Sequence, residues 1–159
     1  MHALPRRHLI QATGGSLALL ACGQSLAHGS QLGDLTLDHP YAIPSAPGTL
    51  EGFAYLRLLR NGSRQADRLL GGHTPVASAV LIQQRQAQTW RTVDALPIAA
   101  QSELPLRHDG PWRLSLQGLK APMQVGDRFP LNLRFERSGA IEVRVWVQQP
   151  RAPSKPSTS

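Results

Sequence analysis

Beyond His28 the chain alternates apolar and polar residues with a period of two, broken at short intervals by Gly, Pro and Asn. That period puts every second side chain on one face of an extended strand, whereas a helix needs apolar residues three or four apart. No segment beyond His28 carries the helical spacing. The clearest alternation lies in Asp109–Val147: Leu114 and Leu116, then Leu131, Leu133 and Phe135, then Ile141, Val143, Val145 and Val147. These define three consecutive half-buried strands, the last two joined by a tight turn at Ser138-Gly139.

Upstream the same reading continues. Leu35 and Leu37 open a strand over Asp34–His39, after which Pro40, Pro44, Pro47 and Gly48 predict a long irregular connection. Phe53, Tyr55 and Leu58 mark the apolar positions of the next strand, which ends at an Asn61-Gly62 turn. Short strands are expected over Asp67–Leu70, Ala79–Gln84, Thr89–Val93 and Glu103–Arg107, and the apolar run in Ala79–Gln84 suits a strand lying between two sheets. Antiparallel strands with Gly- and Pro-rich connections predict an all-β, two-sheet Greek-key sandwich over residues 28–148, with a closed barrel as the second arrangement. There is no internal repeat.

The ends read differently. Residues 1–27 combine the basic pair Arg6-Arg7, an apolar run over Ser16–Cys22 and small residues at Ser25-Leu26-Ala27, the layout of a secretory signal peptide. The run is too short for a stable bilayer anchor, so no transmembrane segment is expected after signal removal. Arg6-Arg7 followed by His8-Leu9-Ile10 resembles a twin-arginine signal. Cleavage after Ala27 would leave His28 as the first residue, whereas Leu19-Leu20-Ala21-Cys22 resembles a lipobox and would leave a lipid-anchored lipoprotein. Both readings place the protein outside the cytoplasm, in the periplasm. The tail 149–159, QPRAPSKPSTS, offers no apolar anchor and is expected to be disordered.

With 159 residues the chain has room for one core. Of its net charge of +7, Arg6 and Arg7 would leave with the signal. The remaining surplus is Arg scattered from Arg57 onward, without the continuous basic stripe that nucleic-acid backbones require, so no nucleic-acid partner is expected. Cys22 is the sole cysteine and lies in the signal, which excludes an intrachain disulfide and a structural thiolate metal site.

Several short segments resemble one family. Gly33-Asp34-Leu35, His39-Pro40-Tyr41-Ala42, Tyr55-Leu56 before Asn61-Gly62, Asp67-Arg68-Leu69, Gly118-Leu119-Lys120-Ala121-Pro122 and Gly126-Asp127 occur in the order and spacing of the periplasmic copper chaperones of the PCu(A)C family. The resemblance covers about residues 28–147. It implies a cupredoxin-like β-sandwich that carries Cu(I) toward the CuA centre of cytochrome c oxidase, with oxidase assembly proteins as partners and copper as cargo. It also implies a ligand set of two His and two Met, soft enough to hold Cu(I) and to release it by exchange.

Carried over position by position, those ligands are absent. The first His falls on Gln83, the first Met on or beside Trp90, and the His-x-Met pair on Arg113 and Ser115. A guanidinium has no lone pair to donate, an indole N–H is a donor only, and the oxygens of Gln and Ser are hard ligands unsuited to Cu(I). The family copper site is therefore expected to be degenerate.

Other groups have their own readings. His28 as a free N-terminus, joined by His39 or His73, could build a nitrogen-rich Cu(II) site; a solvated terminus is the simpler reading. Met123 suits core packing rather than ligation. His108-Asp109, near Arg107 and Arg113, lacks the spacing of a nucleophile with its base, so no enzyme is expected. Arg113 beside Trp112, with Trp90 across the sheet, reads either as a structural plug paired with an acid such as Asp109, or as an interaction surface for a protein or an anionic ligand. Two functions follow: a copper-handling protein with an altered site, or a non-metal periplasmic interaction module. The sequence does not specify an oligomeric state.

Overall fold

The computed structural model describes residues 29–150, so the expected signal peptide, Cys22, His28 and nearly all of the expected disordered tail lie outside the described residues. The described chain consists of strands and connections without a helix: β1 (Gly29–Leu32), β2 (Leu35–Ile43), β3 (Glu51–Asn61), β4 (Asp67–His73), β5 (Ala79–Gln86), β6 (Thr89–Val93), β7 (Leu96–Ile98), β8 (Ser102–Leu106), β9 (Trp112–Gln117), β10 (Arg128–Phe135) and β11 (Gly139–Val147).

Pairing runs from β2 through β11, β10, β4, β5, β9 and β3, and β3 pairs back onto β2. Seven strands thus close a ring, and the two separate sheets expected from the sequence give way to one barrel-like sheet. Its seams are uneven. The β4/β5 junction rests on Gly72 opposite Val80, and the β11/β2 junction is a short parallel pairing of Trp146 and Val147 with Tyr41 and Ala42. Long antiparallel ladders, such as β2/β3 and β10/β11, lie between them. Short strands β1, β6, β7 and β8 each pair with one ring strand only.

β2 differs most from its expected form. Pro40 does not end it; the strand runs on to Ile43, and the irregular connection starts later. Before His39 the outer edge of β2 is taken by β1, with Gly29 opposite Asp38; after Pro40 the same edge is taken by β11. His39 makes the change of partner with a left-handed backbone, φ 48°, and Pro40 has no N–H that would need a ladder partner there.

The inward residues form one apolar cluster that includes Leu35, Leu37, Leu56, Leu59, Leu114, Leu116, Leu131, Leu133, Phe135, Val143, Val145 and Val147, with Ile141 packed against it and Met123 inside it. On β3 the central cluster takes Ala54, Leu56 and Leu59; Tyr55 is also buried, as its apolar character predicts, but outside that cluster, and Phe53 is half-buried. A register irregularity against β8 between Leu56 and Leu59 shifts the alternation, and Phe53 and Tyr55 lie on the other face. β5 is not enclosed between sheets either: Val80 and Ile82 are buried, whereas Leu81 and Gln83 are half-buried on the opposite face.

The β10/β11 hairpin turn is clamped by Asp67 at the start of β4. The carboxylate accepts backbone N–H bonds from Arg137 (2.9 Å) and Ser138 (3.1 Å) and the Ser138 hydroxyl (2.6 Å), besides the N–H of Arg68 (2.8 Å). Burial works against ionisation here, but the bonds from Ser138, Arg137 and Arg68 outweigh it and hold the pKa below its ordinary 3.8. Asp67→Ala is expected to cost about 2–4 kcal/mol by leaving several buried donors unpaired. Because the folded pKa is depressed, the advantage of Asp67 over Asp67→Asn should be fully present above 3.8 and disappear as the pH falls through the folded value. Urea unfolding of both proteins along a pH series measures it.

Candidate functional site

The alternation of β9 sends Leu114 and Leu116 inward and Arg113, Ser115 and Gln117 outward. Register then decides their neighbours. On one side Gln83 stands opposite Arg113 and Leu81 opposite Ser115; on the other, Phe53 stands opposite Ser115 and Glu51 opposite Gln117. One strand further, β6 places Trp90 opposite Arg85. The four positions singled out in the sequence, Gln83, Trp90, Arg113 and Ser115, thereby share one outer face.

Arg113 is the centre of this face. Its guanidinium carbon lies 3.9 Å from the Phe53 ring centroid and 4.1 Å from that of Trp90, and its Nε donates to Gln83 Oε1 at 2.7 Å. Burial pulls its pKa down, with Tyr55 and Glu51 acting in the opposite direction; a guanidinium still stays charged at any physiological pH. Arg85 approaches the same indole at 5.8 Å.

Ser115 is fully buried beneath the outward side chains. Its hydroxyl donates to Glu51 Oε1 at 2.8 Å, and Gln117 Nε2 donates to the same oxygen at 2.7 Å and to Ser115 Oγ. The polar atoms of Arg113 and Gln83 therefore engage each other, and those of Ser115 engage its strand neighbours. Beside Arg113, Tyr55 stacks on Tyr41 at 5.3 Å, and the Tyr55 phenol is pushed up to about 12, chiefly by burial, against a lowering by Arg113.

The remaining candidates separate. His39 lies at the bend of β2, its Nε2 3.4 Å from Gln148 Oε1, while His73 is exposed at the end of β4, with β11 and β10 between the two strands. No group of three or more His, Cys, Asp or Glu among the described residues could hold a metal ion.

Two expectations change. Asp109 is not the partner of Arg113: it lies 3.7 Å from Arg107, and Gln83 takes the expected role. Trp112 does not flank Arg113, because adjacent strand residues face opposite ways, and Trp112 packs against the core. The aromatic surface is Trp90 with Phe53. Sequence reasoning missed Phe53 because only the β3/β9 register reveals it.

The ring has the fold of PCu(A)C domains. The copper-bound PCuAC domain from PmoF2 superposes with a TM-score of 0.68 at 22% identity, covering 78% of this chain and 100% of that one. The apo PCuAC domain from PmoF1 gives 0.68 at 18%, over 77% and 100%. The Cu(I)-bound DR1885 of Deinococcus radiodurans gives 0.57 at 27%, over 71% and 78%. Residues 35–147 match the LpqE-like family, and the chain belongs to it. No curated protein matches the chain.

Arg113→Ala is expected to destabilise the fold by about 2 kcal/mol through loss of both ring contacts and the Gln83 bond, read by denaturant unfolding. Arg113→Lys should restore less than half of this, because an ammonium cannot reproduce a planar guanidinium between two rings.

Proposed function

We propose that this is an exported PCu(A)C-type protein of periplasmic copper handling whose outer face no longer carries Cu(I) as the family does. The observation that carries the reading is that Arg113 is engaged by Gln83 and Trp90, and Ser115 by Glu51 and Gln117, with no thioether or imidazole among Gln83, Trp90, Arg113 and Ser115. A fixed positive charge at the centre of the face repels a metal cation, and the surrounding oxygens are hard donors that favour other metals over Cu(I). Copper-bound relatives support the copper-handling setting, and the match to a family described as lipoprotein LpqE-like supports export. The role is non-enzymatic, and oxidase assembly proteins are the partners in this reading.

The expected outcome of a Cu(I) titration of the mature chain against a chromophoric chelator is no competition. The combined variant Gln83→His, Trp90→Met, Arg113→His and Ser115→Met should acquire competition on the same scaffold. Copper binding by the unmodified chain that survives Arg113→Ala but is lost on His28→Ala would move the metal to the N-terminus instead.

A second reading has its own observation. Arg113 is ion-paired to no carboxylate among the described residues, although its guanidinium is fixed in place by two rings and Gln83. Such a preorganised cation suits docking of an acidic partner segment on the Trp90, Phe53 and Arg113 surface.

A further inference from the structure

Where β2 bends, the outer face opens into a depression of about 430 Å³, lined by His39, Tyr41, Arg57, Arg107, His108 and Gln148, with Gln149 and Pro150 along one side. Two guanidiniums, two imidazoles and two amides line it, and no carboxylate is among the lining residues. The nearest acids are already engaged. Asp38 Oδ2 receives both Nε (2.9 Å) and Nη2 (2.7 Å) of Arg57, and Asp109 lies 3.7 Å from Arg107. The Asp38 contacts hold Arg57 by one edge of its fork and leave N–H groups of the other edge to point elsewhere.

The floor is aromatic and fixed. Tyr41 is buried, stacks on Tyr55, and meets the edge of the His108 ring at 6.2 Å. Its hydroxyl accepts the backbone N–H of His108 at 3.0 Å and lies 3.1 Å from His108 Nδ1. The phenol oxygen can donate one bond and accept two, so the Tyr41–Nδ1 contact fits either direction; where Tyr41 donates, the ring N–H of His108 is on Nε2.

We propose that this depression is a binding site for the oxyanion group, carboxylate or phosphate, of a small ligand. Fork-shaped guanidiniums and N–H donors match such oxygens, the aromatic floor reduces competition from water, and the volume falls within the range of small-molecule pockets. The site is separate from the Arg113 face and does not depend on whether copper binds there.

The test titrates the purified exported chain with inorganic phosphate and, separately, with sodium acetate, following backbone and imidazole NMR signals. The expected result is a saturable shift at His39 and His108 with Kd on the order of 1 mM or tighter for at least one anion. Arg107→Gln should weaken it about tenfold or more. Arg107 has only its long, exposed contact with Asp109 to lose, so the fold is not at stake. Arg134→Gln, which removes an equal charge from an exposed position on β10, should change nothing. A response to phosphate alone or acetate alone supports the site and names its group. No saturable response to either anion, or equal weakening by Arg107→Gln and Arg134→Gln, overturns the proposal.

Discussion

Closure of the ring depends on β2 serving three neighbours. β3 runs along one edge of it, and the other edge is shared between β1 and β11. A regular strand would keep one partner along each edge; the left-handed turn at His39 and the missing N–H of Pro40 release the ladder where the partner changes. The two longest ladders are thereby connected through Tyr41 and Ala42, and the core from Leu35 to Val147 is sealed on that side. The same bend positions half-buried His39 and buried Tyr41 along the depression, so the backbone device that closes the barrel also builds the depression beside it.

The outer face of β9 is held together by its own side chains. A soft-ligand site contributes its binding energy only when loaded. Here Arg113 stacked between Phe53 and Trp90, Gln83 bonded to Arg113, and Ser115 and Gln117 bonded to Glu51 contribute without any cargo. Arg113 and Gln83 satisfy each other, and Ser115 shares the Glu51 carboxylate with Gln117, so removing one member of either group would leave its partners unpaired; each group behaves as a unit.

Much of this was legible in the sequence. Strands β9, β10 and β11 and their buried positions follow from strict alternation, because one face of each is apolar throughout. The four substituted positions were found by resemblance, and their convergence follows from strand order. What was hidden depended on register. A slip in the alternation of β3 put Phe53 and Tyr55 on the face opposite the central cluster, where Tyr55 is still buried and Phe53 half-buried. β1 and β7 are too short to show a period. Pro40 read as a strand terminator because the rule that excludes proline from ladders does not say where a ladder changes partner. Asp67 stood out only as part of the Asp67-Arg68-Leu69 resemblance; its clamping role arises only when β4 meets the far hairpin.

The strands outside the ring have a consequence for crowding. A closed barrel has no long free edge to offer another copy, and the edges that persist belong to β1, β6, β7 and β8, each paired on one side only. Pro97 interrupts β7 and Pro105 interrupts β8, removing donors from those edges. At high local concentration, such edges give neighbouring molecules few consecutive hydrogen bonds to build upon. The decoration of the barrel thus acts as a guard against sheet-to-sheet assembly.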